Sequence, residues 1–177
     1  VDRADGQASV DQAIKQLKAG DLVGIFPEAT ISRSFEIKEF RQGAARIAYE
    51  AGVPLIPLTI WGSQRVWTKG RKPIWRPKET QLVITVGKPV EVTEDAQATT
   101  ERLHQAMVEQ MDLTRQRWEE RFGSMPKGEF WVPAALGGTA PTLEEATVQD
   151  RADAAARKEK RAQEKAEACL LYTSPSP

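Results

Sequence analysis

Three short apolar runs set the tightest limit on how this chain can fold: residues 22–26 (Leu-Val-Gly-Ile-Phe), 53–60 (Val-Pro-Leu-Ile-Pro-Leu-Thr-Ile) and 82–86 (Leu-Val-Ile-Thr-Val). Each has the length of a buried strand, and Pro27 and Gly87 end the first and the last. The two prolines of the middle run fit a strand start or a bulge better than a fully paired position. Helical periodicity lies around these runs. Val10, Ile14 and Leu17 share one helical face, which Ser9 and Gln12 would open as a capping box and Gly20 would close. Residues 43–51 form a second helical pattern ended by Gly52. Residues 99–121 form a third, strongly charged, with Leu103, Met107, Met111 and Leu113 facing inward. The order helix, strand, helix, strand, long loop (61–80), strand, helix predicts an α/β fold. The sheet is expected to be mixed and largely parallel, with flanking helices and a charged C-terminal extension.

Composition narrows the chemistry. The 177 residues carry 25 Lys+Arg against 25 Asp+Glu, and this balance argues against a general nucleic-acid binder. A single cysteine, Cys169, excludes a disulfide framework and a Cys-paired zinc site. A single histidine, His104, excludes the two-His metal motifs. His104 reads as an exposed helix residue with no catalytic role. The organisation reads as a folded part over 1–122, a Gly/Pro linker with an aromatic anchor over 123–143, and a charged helix or disorder over 144–168. Residues 169–177 break so abruptly from the preceding pattern that they are expected to be non-native. The start at Val1 in a polar run is the expected mark of a piece cut from a longer chain.

Two stretches can carry function. In Phe26-Pro27-Glu28-Ala29-Thr30-Ile31-Ser32-Arg33-Ser34 an apolar run ends at a proline, and a carboxylate, hydroxyls and a guanidinium follow at once. Ligands in open α/β sheets sit beyond the carboxyl ends of strands. Arg33 suits phosphate, with Thr30, Ser32 and Ser34 as further donors. The plainer reading is an ordinary polar loop. The second stretch, 61–78, holds three tryptophans and six Lys or Arg without an acid. Trp61, Arg65, Trp67, Lys69, Arg71 and Trp75 read as a contact for an anionic membrane surface. The same residues could stack and neutralise single-stranded nucleic acid, or Trp61 and Trp67 could edge the core.

The first stretch resembles the third signature block of the glycerolipid acyltransferases, which usually reads Phe-Pro-Glu-Gly-Thr-Arg-Ser. Val53-Pro54-Leu55-Ile56-Pro57-Leu58 resembles the fourth block, and Val1-Asp2-Arg3 the end of the second. The resemblance covers about residues 1–92. It implies that 1–122 is the C-terminal part of an acyltransferase domain. It also implies a substrate-binding role for Arg3, Phe26, Pro27, Glu28, Thr30, Ser32 and Arg33. The reaction implied is acylation of 1-acyl-glycerol-3-phosphate to phosphatidic acid, with acyl-CoA or acyl carrier protein as donor and no bound cofactor. The implied setting is peripheral, on the cytoplasmic face of the cell membrane, with lysophospholipid and the membrane surface as partners and no nucleic acid. Two positions depart from the pattern. Ala29 stands where the block has glycine, so a positive φ there is costly. Ile31 stands where the block has arginine, and Arg33 is read as supplying that charge.

The family's first block is a histidine, four residues, then an aspartate, in which the histidine is the general base for the glycerol hydroxyl. His104 does not match it, since Glu109 stands at the far position and both follow the other blocks. These residues are therefore expected to bind acceptor weakly and not to catalyse without that block. The alternative is a non-catalytic module that binds phosphate or a lipid headgroup.

Overall fold

The computed structural model describes residues 6–74 and 80–172, with side chains through 164. Helix α1 (Gly6–Lys18) starts a turn before the expected cap, so Ser9 lies inside it. Helix α2 (Gly43–Ala51) buries Ala44, Ala45, Ile47 and Ala48, a small-residue face that lets α1 and α3 approach closely. It ends where expected, at Gly52, whose φ of 68° allows its N–H to turn back onto the last helical carbonyls.

Strands β1 (Leu58–Trp61) and β2 (Val83–Val86) form a two-stranded sheet, and Leu55 adds an isolated bridge to Val90. The pairing is antiparallel, with Leu58 opposite Val86 and Trp61 opposite Val83. This corrects the expectation of a largely parallel sheet. A parallel pair needs a crossover element, whereas the described part of the connection holds only a 3-10 turn at Ser63–Arg65. The run 22–26 is no strand. Nothing among the described residues pairs with it, and Leu22 and Phe26 are 93% and 86% exposed. Apolar character gave it strand propensity, but a strand exists only with a ladder partner.

Helix α3 (Ala96–Phe122) lies across the inner face of the sheet, capped by the Asp95 carboxylate accepting from the Ala98 N–H. Leu103 is buried as expected, but Leu113 is largely exposed. The buried stripe also runs through Trp118 and through Thr99, Gln110 and Thr114, polar residues that apolar periodicity could not find. Hydrogen bonds make that polar stripe tolerable. Thr114 and Thr59 share a hydroxyl contact of 2.7 Å, and Gln110 Nε2 donates to the Thr85 carbonyl at 2.7 Å.

The core is a tryptophan cluster. Trp61 from β1, Trp118 from α3, and Trp131 and Val132 from the 123–143 stretch are all buried. Trp118 and Trp131 meet edge to face at 5.5 Å. The stretch read as a linker thus supplies two core residues and folds on itself through a 3-10 turn at Ala134–Leu136. Helix α4 (Leu143–Tyr172) follows. Its start is a reciprocal capping box, with Thr142 Oγ1 accepting from the Glu145 N–H and Glu145 Oε2 from the Thr142 N–H. Of the tail read as non-native, 169–172 continue the backbone of α4, and the rest lies outside the described residues.

Candidate functional site

Residues 27–41 form a polar loop closed at its base by the Arg41 N–H donating to the Pro27 carbonyl at 3.0 Å. The hydroxyls of Ser32 and Ser34 hold the loop rather than project from it. Ser32 Oγ lies 3.1 Å from Ser34 Oγ and donates to the Glu36 carbonyl at 2.9 Å, and Ser34 is fully buried. Arg115 of α3 secures the far end by donating to the Phe35 carbonyl at 2.8 Å while stacking on the Trp61 ring. Burial pulls the Arg115 guanidinium below its ordinary value, against the opposing charges of Asp112 and Glu36.

Two residues here take a left-handed backbone without being glycine, Ala29 (φ 54°) and Phe35 (φ 58°). Such a conformation costs an L-residue about 1–2 kcal/mol. Ala29, which stands where the resembling block has glycine, therefore adopts a backbone that glycine alone takes without cost. The loop carries that strain because both ends are tied down.

Arg33 emerges from this loop into a cluster of cations that sequence reading did not assemble. Its Nη2 lies 2.7 Å from Asp153, and its Nε lies 3.5 Å from Asp150. Lys38, from the same loop, reaches Asp150 at 2.6 Å. Lys69, from the 61–74 loop, reaches Asp150 at 2.5 Å and Asp153 at 3.0 Å. Gly70 leaves room for Arg33 to pass, since a Cβ there would stand 3.3 Å from Nη1. Three cations from two loops thus converge on two carboxylates of α4. Burial pushes Asp150 up, but hydrogen bonds from Lys38 and Lys69 outweigh it, and the carboxyl falls below the usual range. Hydrogen bonds from Arg33 and Lys69 lower Asp153 as well.

Glu28 sits beside this cluster and behaves differently. Desolvation raises its pKa from the ordinary 4.5 to about 7, against the backbone N–H and the charge of Lys38. Its Oε2 is buried without a hydrogen-bond partner. Between pH 4.5 and 7 the unfolded chain releases this proton while the folded chain keeps it. Glu28 therefore lowers stability as pH rises through that window, by on the order of 2–3 kcal/mol, and the loss is complete above pH 7. Urea unfolding at pH 5 and pH 8 tests this. Glu28→Gln is expected to flatten the difference and be the more stable protein at pH 8, whereas equal slopes would place the carboxyl in water.

The other expected site residues divide. Phe26 is exposed, and Pro27 and Thr30 are half-buried in the loop. Arg3 and Trp75 lie outside the described residues. Trp61, expected at a membrane surface, is 1% exposed and belongs to the core, because alternation along β1 turns Thr59 and Trp61 to the same inner face. Arg65 stacks on Trp131, Arg71 on Phe130 at 3.9 Å, and Lys69 turns to α4. Only Trp67 of the described tryptophans in that loop is open, at 62%. His104 packs edge to face on Phe40 at 4.9 Å. It is half-buried there rather than exposed, and remote from the cation cluster in its bonding. Among the described residues no group of His, Cys, Asp and Glu could hold a metal ion. No described helix is long and apolar enough to cross a membrane.

Sequence reading passed over Lys38, Asp150 and Asp153. One signal was available: Ala146, Asp150 and Asp153 fall on one face of a helix whose other residues are almost all charged or small.

Known proteins bear on this loop directly. Residues 1–61 match the family model described as Acyltransferase. A probable 1-acyl-sn-glycerol-3-phosphate acyltransferase of Mycoplasma pneumoniae is 45% identical over 56 residues, covering 32% of this chain and 21% of that protein. The 1-acyl-sn-glycerol-3-phosphate acyltransferase of Bacillus subtilis is 29% identical over 126 residues, covering 71% of this chain and 59% of that protein. The crystal structure of the 1-acyl-sn-glycerophosphate (LPA) acyltransferase PlsC from Thermotoga maritima aligns with a TM-score of 0.46 at 26% identity, over 67% of this chain and 46% of that one. The chain thus spans between about a fifth and three-fifths of the two curated relatives. The matched segment contains the strained loop with Glu28 and Arg33 and the start of the sheet, and over that segment the chain is similar to the acyltransferases.

Proposed function

We propose that the protein transfers an acyl group from acyl-CoA or acyl carrier protein to 1-acyl-glycerol-3-phosphate, and that these residues supply the acceptor-phosphate side of the site. The observation that carries the reading is the convergence of Arg33, Lys38 and Lys69 on one small anionic target beside a loop of acyltransferase sequence. A guanidinium and two ammonium groups gathered around the same pair of carboxylates are what a phosphate monoester requires. Arg33, two positions beyond Ile31, supplies the charge that the resembling block places at that position. Glu28, largely neutral below pH 7, competes little with a ligand for the charge of Lys38.

In the reaction, the free glycerol hydroxyl gives up its proton to a base and attacks the thioester carbonyl. The thiolate leaves, taking up a proton. Fixing the phosphate holds the hydroxyl in place for that attack, and positioning of this kind can supply several kcal/mol. The one histidine of the 177 residues packs on Phe40, so the base of this reaction is assigned to no residue here. Membrane association belongs to the same proposal. The open Trp67, Ile74 and Phe26 support it, as does the lipid nature of the acceptor.

An acyl-transfer assay of the full-length protein tests the assignment. Arg33→Ala is expected to raise the acceptor KM by about tenfold or more, the worth of one charge-assisted hydrogen bond. The donor KM is expected to stay unchanged. An unaltered acceptor KM would remove Arg33 from the phosphate site.

A further inference from the structure

The cation cluster already has an occupant. Asp150 and Asp153, three residues apart on α4, put two carboxylates among Arg33, Lys38 and Lys69. We infer that α4 is a built-in competitor for the anion site: its aspartate pair takes the place of the acceptor's phosphate, and the phosphate must displace the helix to bind. The inference rests on the reading of the cluster as a phosphate site.

Charge makes the exchange nearly neutral. Two ionised carboxylates carry the charge of a phosphate monoester dianion, which is about −1.5 to −2 at pH 7. Swapping one for the other leaves the three cations equally compensated, so no bare charge is buried at either end of the exchange. The fit of the aspartates is also incomplete. Arg33 Nε is buried and lacks a hydrogen-bond partner, although Asp150 lies 3.5 Å away. A compact tetrahedral phosphate offers oxygens in more directions than two carboxylates fixed on a helix face.

The attachment of α4 suits a part that comes and goes. Ala146 is fully buried near its start, and Asp150 and Asp153 follow on the same face. From 154 to 164 every residue is exposed. The helix shares no extensive contact with any other helix or strand. It is thus tethered at its first turn by the packed 123–143 stretch and latched by ion pairs. Releasing the latch exposes no large apolar surface, because Val148 is already 62% exposed.

Calorimetric titration of glycerol 3-phosphate into the 177-residue chain and into its Asp150→Asn/Asp153→Asn variant tests this. The double variant is expected to bind about tenfold or more tightly, since the competitor has lost its charge. Adding Lys69→Ala to that variant should take the gain away. Equal affinity in chain and double variant would overturn the competitor and leave the phosphate site standing. Absence of binding in both would overturn the site itself, and the competitor with it. A second readout needs no variant. Hydrogen exchange of the backbone amides over 144–160 should quicken in step with glycerol 3-phosphate occupancy of the unaltered chain. Full occupancy with unchanged exchange would show that ligand and helix bind together, and would sink the inference.

Discussion

Replacing Trp118 with alanine is expected to cost about 3–5 kcal/mol of folding stability, a large share of what a domain of this size has. Trp118 is 2% exposed, meets Trp131 edge to face and leans on Phe122 at 5.5 Å. Its ring is therefore a joint between α3 and the 123–143 stretch, and removing it opens a cavity between them. The indole Nε1 also donates to the Gln81 carbonyl at 3.0 Å. Trp118→Phe separates the two contributions. It keeps most of the ring and loses the hydrogen bond, for about 1–2 kcal/mol. Urea midpoints of both variants at fixed pH decide the matter. A cost below about 1 kcal/mol for alanine would mean that the tryptophan cluster is not the core.

Gly62→Ala is expected to cost about 2–4 kcal/mol, for a reason that meets the first at the same atom. Gly62 holds φ at 105°, where a side chain is strained whatever the surrounding space. A Cβ there would also overlap the Gln81 carbonyl oxygen, the acceptor of the Trp118 indole. The added methyl must push that carbonyl away and so weaken the indole bond too. The two substitutions are thus coupled. Gly62→Ala combined with Trp118→Phe should cost less than the sum of the single changes, because the shared hydrogen bond can be lost only once. Strict additivity in urea unfolding would place the two effects at separate atoms.

Much of the local structure was legible from residue patterns. The limits of α2 followed from its alanines and Gly52, and β2 from an unbroken β-branched run ended by Gly87. At Ala29 the sequence marked only that a positive φ would be costly, and the folded loop adopts one. Each of these depends on neighbours in sequence, and local sterics settle them. The candidate loop was found in the same way, from a proline, a carboxylate and a guanidinium in succession.

The misreadings share another origin. Residues 22–26 had the composition of a strand and no partner to pair with. Trp61 had the composition of an interfacial residue and sits behind β1. Residues 123–143 had the composition of a linker and fill the centre of the core. Gln110 and Thr114 looked like surface and are buried on hydrogen bonds. Burial and pairing are properties of what comes to lie opposite, so residues far apart in the chain decide them.

The same division runs through the site. Residues 26–34 carry the resemblance to an acyltransferase block by themselves, because those residues sit in one continuous stretch. Whether the loop stands open could be learned only from the folded chain. Arg33, Lys38 and Lys69 come together because two loops meet, and Asp150 and Asp153 close over them because a packed segment of some twenty residues brings α4 back. Coulombic attraction acts across space within a few ångströms, and positions more than a hundred residues apart fall within that range only after the chain has folded.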